Sequence, residues 1–385
     1  MKIAVDAMGG DHAPAEIVEG ACLAARDFGV DIILVGDETA IRACLPPDAP
    51  PNVSVHHAGE QVTMDEAPMQ ALRKKRDSSL AIANHLVADG KADAVLSAGN
   101  TGAAATHALF ILKRIKGIDR PGIATVFPSS QDPVVMIDVG ANVDCRPRHL
   151  AEFAVMGAAY ARTVHGIIPG TGGCLSHGEL PKVGLLSIGE EETKGNELTK
   201  AAFKLIRDNA TLGKYEFFGN VEGRDLGAGT VEVMVCDGFV GNVVLKVAEG
   251  LAKMFGGELK KAFTSTPRAK IGGLMLKPSM QGLRSKLDYT SYGGALLLGV
   301  NGVCIICHGS ATAKSIHSAL RICKQIVQSN VVETIRATIE QLPDRDEKKA
   351  TISETKTPET SPETMAQVIA QSAQNGLQAV AKTAV

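Results

Sequence analysis

Ala94-Val95-Leu96-Ser97-Ala98-Gly99-Asn100-Thr101-Gly102-Ala103 is the stretch on which the reading of this chain turns. Residues 94–97 form a short apolar run of the kind that makes a strand buried on both faces. Gly99-Asn100 then turns the chain into an Ala-rich helical pattern. The same order recurs where residues 134–137 lead to Gly140-Ala141-Asn142 and residues 231–235 lead to Gly241-Asn242. Gly195-Asn196 and Gly219-Asn220 complete the set. In an open α/β sheet such loops gather at the carboxyl ends of the strands, where ligands bind. Glycine admits close backbone approach, helix starts favour anions, and asparagine adds a neutral donor and acceptor. Any one pair is adequately explained as a turn or helix cap. Five placed alike point to an anion site.

Strand and helix patterns alternate outward from that stretch. Residues 2–5, 32–35, 53–55, 123–127, 134–139, 183–188, 215–218, 231–236 and 303–307 read as further strands. The alternation predicts an α/β fold with a mainly parallel, doubly wound sheet in one domain over residues 1–342. Three stretches break the rhythm. Residues 165–182 hold five glycines and two prolines and are expected to be a surface insertion loop. Residues 259–287 carry seven Lys or Arg, no acid and interleaved apolar side chains, and are expected to protrude as a helical segment. Residues 343–385, rich in Thr, Glu, Lys and Pro, are expected to form no packed structure.

Apolar residues make up 45% of the chain, enough for a large core, while aromatics make up 4% with no Trp. That poverty argues against stacking platforms for single-stranded nucleic acid. With 40 basic and 42 acidic residues the net charge is −2, so the chain as a whole implies no polyanionic partner. The apolar run at residues 1–6 is too short for a secretory signal, and no segment approaches the roughly 20 apolar residues of a membrane span. A cytoplasmic location with reduced, mostly structural thiols is therefore expected for the eight cysteines.

Several chemistries drop out. Cys304-Ile305-Ile306-Cys307-His308 matches the pattern of haem attachment, but the run reads as a strand, where residues three apart face opposite sides. Haem, zinc and a redox pair are rejected on that geometry, leaving buried core thiols. There is no dinucleotide fingerprint, no P-loop and no serine-hydrolase elbow. Histidines at metal spacing are absent, and Glu190-Glu191-Glu192 reads as a solvated run at a helix start. No metal and no cofactor are expected. What remains is a set of polar loops holding Asn, Asp, Lys and His without an obvious nucleophile. Such a site suits direct reaction of two bound substrates, with the protein supplying orientation and anion stabilisation. Phosphate is the natural anion for Gly-rich loops.

Met1-Lys2-Ile3-Ala4-Val5-Asp6-Ala7-Met8-Gly9-Gly10-Asp11-His12-Ala13-Pro14 closely resembles the opening of the bacterial phosphate acyltransferase family (PlsX type). The stretches 97–103, 138–144, 194–200, 218–222, 237–243 and 292–295 resemble that family too, so the likeness covers residues 1 to about 340. Only 165–182 and the residues after 343 depart from its pattern, and neither interrupts a motif. The resemblance implies transfer of a fatty acyl group from acyl-[acyl carrier protein] to inorganic phosphate. The product, acyl phosphate, is the first committed step toward phosphatidic acid in phospholipid synthesis. A phosphotransacetylase/isocitrate-dehydrogenase-like fold is implied, as is a homodimer. A membrane glycerol-3-phosphate acyltransferase is implied as the consumer of the product.

On that resemblance phosphate attacks the thioester carbonyl and the carrier's thiolate leaves, with no covalent enzyme intermediate. Lys194 is expected to hold phosphate and counter developing charge, and Asn242 to donate to the oxyanion or phosphate. Their plainer readings are a solvated lysine and a helix cap. Asp11 and His12 are candidates for orienting phosphate or shuttling a proton, a structural histidine being the plainer reading. Asn100, Thr101, Asn142, Asp144, Asn196, Asp237 and Gly241 are expected to line the pocket, with Asp144 or Asp237 alternatively orienting Lys194. Gly219-Asn220 reads as an ordinary turn. Leu274, Met275 and Leu276, with Lys270 and Lys277, are expected to touch a membrane surface peripherally. Arg73 and Lys74 are expected to share in docking acyl carrier protein, and a solvated hairpin is the plainer reading of the basic stretch. Two other functions fit the same residues: a phosphotransacetylase using acyl-CoA, and a non-catalytic scaffold that binds carrier protein at the membrane.

Overall fold

Strands of three to six residues, most of them buried on both faces, build one eleven-stranded sheet in a computed structural model of the chain. The structure describes residues 1–164, 179–276 and 293–342. Residues 165–178 of the expected insertion, 277–287 of the expected basic segment (Lys277 among them) and the tail at 343–385 lie outside the described residues.

Two parallel blocks make up the sheet. In the first, β1 (Lys2–Asp6) lies between β2 (Asp31–Gly36) and β4 (Ala94–Ser97). The edge strand β3 (Val53–His57) pairs with β2, and β11 (Val303–Ile306) pairs with β4. The second block joins β6 (Val134–Ile137), β9 (Val233–Val235), β7 (Lys182–Leu186) and β8 (Glu216–Val221) in that order. Between the blocks lie β10 (Ala295–Leu298) and β5 (Gly122–Phe127), antiparallel to each other, to β11 and to β6. Seven parallel pairings against three antiparallel make the sheet mainly parallel. Because three pairings invert the sense, the blocks run oppositely, and their carboxyl ends leave opposite ends of the ladder. The sequence pattern does not predict β10. Its four residues stand between Gly293-Gly294 and Gly299, all at positive φ, and so short a run has no period to read.

Helices cover both faces. One face is packed by α1 (Ala15–Phe28), α2 (Glu38–Cys44), α6 (Pro147–Val164), α7 (Glu197–Gly213), α11 (Ala313–Gln328) and α12 (Val331–Ile339). The other carries α3 (Pro68–Lys74), α4 (Ser79–Ala88), α5 (Thr101–Ile111), α8 (Gly223–Ala228) and the start of α9 (Gly238–Thr264). Alternation along each strand divides the core between them: Ile3 and Val5 face the first set, Ala4 the second. Cys304 and Cys307 separate in the same way, and burial pushes both thiols up to about 12. Neither a haem-attachment pair nor a redox pair forms there.

α9 is 27 residues long and leaves the body of the protein. Buried Gly238 and Gly241, with Val244, Leu245 and Ala248 packed on the core, hold its first turns down. From Leu251 onward every residue of α9 except Phe263 is exposed. Residues 267–276 form α10, whose Gly273 lies against Phe263. The exposed part of the helix thus begins before residue 259, with Leu251, Met254 and Phe255 already exposed.

α6 starts against the usual electrostatics of helices, with no acid in its first turn but with Arg148 and His149 there and Arg146 just before it. The buried His149 accepts the Arg146 N–H on Nδ1 at 3.1 Å. Burial, then the guanidiniums of Arg120, Arg148 and Arg146, push its imidazole down from 6.5 to about 4. The folded chain therefore binds fewer protons than the unfolded chain between those two values, and stability rises with pH across the window. The melting temperature is expected to fall as pH drops from 6.5 toward 4, and His149→Gln is expected to flatten that part of the curve.

Candidate active site

Asp138 follows β6 directly and is fully buried. Its Oδ1 accepts the N–H groups of Ile123, Gly140 and Ala141 at 3.0, 3.1 and 2.9 Å. Its Oδ2 accepts the N–H and Nδ2 of Asn142 at 2.7 and 2.8 Å. Burial pushes this carboxyl up from its ordinary value, and the donors oppose the shift. Asn142 also donates through Nδ2 to the Pro121 carbonyl at 2.7 Å, and its own carbonyl accepts the Gly238 N–H at 2.7 Å. The start of α9 is thereby fastened to the loop after β6. Glycine is required at the contact: a Cβ on Gly238 would stand 2.6 Å from the Asn142 carbonyl oxygen, and one on Gly241 would collide with that of Asp138.

Three of the polar residues expected to line a pocket are helix caps. Asp237 accepts the N–H groups of Phe239 and Val240 at 3.0 and 2.9 Å. With the Gly238 N–H on Asn142 and the Gly241 N–H on the Asp237 carbonyl, the first four donors of α9 are filled from within. Asn196 caps α7 through the Thr199 N–H at 2.9 Å, and Asn100 caps α5 through the Ala103 N–H at 3.0 Å. Asn242 differs. It is exposed one turn into α9, with Oδ1 3.7 Å from where a Cβ on Gly140 would point.

Lys194 stands in the loop between β7 and α7, its stem against Gly189. Glu190 and Glu192 pair with Arg224 and Arg207, and the Lys194 ammonium has no ion pair among the described residues. Asn220 braces this loop by donating to the Glu191 carbonyl at 2.8 Å. Gly219-Asn220 is therefore not a turn: it lies inside β8, at a register shift opposite Val183 and Gly184. Ser187, just after β7, buries its hydroxyl without a hydrogen-bond partner among the described residues. Asp144 is exposed beyond the Asp138 loop.

At the other end of the ladder Asp6 plays the matching part. Its buried carboxylate accepts Ser79 Oγ at 2.6 Å, Ser97 Oγ at 2.7 Å and the Met8 N–H at 3.3 Å. Gly9 lets the loop after β1 lie on Gly99, and the Asp11 N–H reaches the Gly309 carbonyl at 2.8 Å. Asn100 Nδ2 donates to the carbonyls of Met64 and Glu66 at 2.8 and 3.2 Å. Asp11, His12 and Thr101 are exposed on this cluster. Arg73 and Lys74 are exposed at the end of α3, whose Pro68 packs on Gly102.

The residues expected to form one site thus sit on two loop clusters. Lys194, Asn242, Asn142, Asp144, Asn196, Asp237 and Gly241 follow strands of the second block, whereas Asp11, His12, Asn100 and Thr101 follow strands of the first. Asp6, Asp138 and Ser187 were not foreseen. An acid directly after an unbroken apolar run is the signal that marks the two carboxylates. Among the described residues no group of three His, Cys, Asp or Glu is placed to hold a metal ion.

A family model described as a fatty acid synthesis protein matches residues 1–334. This chain belongs to that family. It is 52% identical over 343 residues to the phosphate acyltransferase of Pelotomaculum thermopropionicum, which covers 89% of this chain and 96% of that protein. The chain is an acyltransferase. A phosphotransacetylase from Streptococcus pyogenes superposes with a TM-score of 0.57 at 18% identity, covering 86% of this chain and 94% of its own. A branched-chain phosphotransacylase from Enterococcus faecalis gives 0.52 at 15% identity, with 85% and 99% covered. These two likenesses establish the phosphotransacetylase-like α/β fold.

Two substitutions on α9 separate the packed contact from the protruding part. Gly241→Ala is expected to lower the melting temperature sharply, because overpacking a close contact costs about 1–3 kcal/mol. Gly250→Ala, where a Cβ meets nothing within 4 Å, is expected to leave the midpoint unchanged or raise it.

Proposed function

We propose that this acyltransferase moves a fatty acyl group from acyl-[acyl carrier protein] to inorganic phosphate, making acyl phosphate for phosphatidic acid synthesis. The observation that carries the reading is the Lys194 ammonium, without an ion pair among the described residues, at the same end of the second block as Asn242. Asp138, Asp237, Glu190 and Glu192 are all hydrogen-bonded or paired elsewhere, so none of these four acids occupies the Lys194 ammonium. Relatives named phosphate acyltransferase support phosphate as the acceptor.

A phosphate oxygen forms the new C–O bond to the thioester carbonyl carbon as the C–S bond breaks, and the carrier's thiolate leaves. Lys194 counters the charge of phosphate, and Asn242 donates to the oxyanion. Burial pushes the Cys145 thiol up to about 12 and that of Cys236 well above its ordinary value, so neither supplies a thiolate. Direct transfer needs none. Four strand steps separate β4 from β6, and at roughly 20–25° each the sheet twist turns the blocks by about 80–100° relative to one another. We infer that the two loop clusters flank one cleft. Lys194 and Asn242 then hold phosphate, while Asp11, His12, Asn100 and Thr101 face the donor's arm near Arg73 and Lys74.

Exposed Val243, Val247, Leu251, Met254 and Phe255 recur at helical spacing along α9. Leu274, Met275 and Leu276 stand exposed on α10, which also carries Lys270. We assign α9 to contact with a second copy of the chain, and α10 to a cytoplasmic membrane surface. No described helix is long and apolar enough to cross a membrane. Acyl phosphate made at the surface passes directly to a membrane glycerol-3-phosphate acyltransferase.

Purified protein, phosphate and acyl-[acyl carrier protein] are expected to yield trapped acyl phosphate; formation from acyl-CoA alone, or none at all, overturns the donor assignment. Lys194→Ala and Asn242→Ala are each expected to lower kcat by about 10²–10³-fold, the loss for one oxyanion donor. Near wild-type turnover in both sinks the assignment. Liposomes containing anionic phospholipid are expected to float the wild-type chain and to lose it in Leu274→Glu; unchanged flotation counts against the membrane face.

A further inference from the structure

We propose that Arg120, Arg146 and Arg148, gathered at the start of α6, form a phosphate-binding cradle beside the loop that Asp138 organises. The proposal rests on the phosphate acyltransferase reading and gives one of its substrates a place. The phosphate bound there is either free orthophosphate or the phosphodiester of the carrier protein's prosthetic arm.

The three guanidiniums come from two segments. Arg120 precedes β5, and Arg146 and Arg148 follow β6, so the antiparallel β5–β6 pairing that sets Ala124 against Ile137 brings them together. The buried His149 ties the two segments together: it accepts the Arg146 N–H at 3.1 Å, and Asp119, next to Arg120, reaches both it and Arg148. Negative partners are few. Arg148 pairs with Asp119, whose Oδ2 is also 3.7 Å from His149 Nε2. Arg120 and Arg146 are exposed and have no ion pair among the described residues. Arg148 Nε is buried without an acceptor among the described residues. The positive end of α6 points into the same place, and nothing acidic in its first turn offsets it. Like charges held this close repel. Two carboxylates lie among them: Asp119, and the buried Glu152, which accepts the Asp119 N–H at 2.8 Å, so three guanidiniums still outnumber the acids. A phosphate answers the arrangement, because planar guanidiniums match its oxygens in pairs. The position is right for the chemistry too. Cys145, whose thiol meets the Asn142 carbonyl at 3.6 Å, feels Asp138, Asp237 and Arg120 together, so the arginines border the Asn142–Asp237 loops.

The test uses the full chain, Arg120→Gln, Arg146→Gln and the double variant. Orthophosphate, without acyl donor, is expected to raise the melting temperature of the wild type, and to raise that of the double variant, which retains Lys194 and Asn242, by clearly less. In the assay each substitution is expected to raise one KM by about tenfold or more, the loss for one charge-assisted hydrogen bond. A rise in KM for phosphate assigns the cradle to orthophosphate; a rise in KM for the acyl carrier protein assigns it to the prosthetic arm. A His149 imidazole pKa that climbs in Arg146→Gln, followed by NMR, is expected as evidence that the charge has been removed without loss of the fold. The cradle is overturned if the folded double variant keeps the full phosphate-induced shift and both wild-type KM values. An active wild type with that result leaves the reaction standing. A wild type that shows the phosphate shift but makes no acyl phosphate from any donor sinks the reaction and leaves the cradle.

Discussion

The Asp138 carboxylate gathers the end of β6, the start of β5 and, through Asn142, the first turn of α9 at one buried point. Its five donors come from four residues, and the four backbone N–H groups among them would be stranded without it. A buried donor left unmade costs about 1–3 kcal/mol, so the loop has no second arrangement of comparable energy. Gly238 and Gly241 exist to let α9 come that close. Asp6 repeats the device at the other end of the ladder with two serine hydroxyls and one backbone N–H. Each parallel block thus has one buried carboxylate that stiffens the loops after its strands.

That arrangement divides labour among side chains the sequence presents as alike. Asn100, Asn196 and Asp237 complete helices, Asn142 and Asn220 brace loops, and Asn242 is left exposed. Those capping and bracing groups are hydrogen-bonded, whereas Lys194, Asn242, Arg120 and Arg146 are exposed, with no such side-chain partner among the described residues. The contrast separates groups that make the scaffold from groups available to a substrate.

Most strands were legible because central strands are covered on both faces and read as unbroken apolar runs. β10 escaped because glycines on both sides leave only four residues to show a pattern. The opposed sense of the two blocks was not legible, since pairing direction leaves no mark on a run of Val and Ile. Chemistry was legible by residue type and not by role: a Gly-Asn pair looks the same whether its amide caps a helix or waits for a ligand. The arginine cluster was invisible for a different reason. Arg120 and Arg146 stand apart in sequence and meet only through an antiparallel pairing the alternating pattern does not announce.

The placement of β10 and β11 at the centre of the sheet bears on how the chain is made. β4 ends at Ser97 and its partner β11 begins only at Val303, while β5 waits for β10 at Ala295. As synthesis proceeds from the N-terminus, each block can pair its own strands early, yet β4 and β5 stay bare along one side until the final strands emerge. Pairings so distant in sequence form slowly, and bare edges invite other chains. The seam of this protein is therefore its last part to close, and a chain cut short before residue 295 is two half-sheets, each with an open edge.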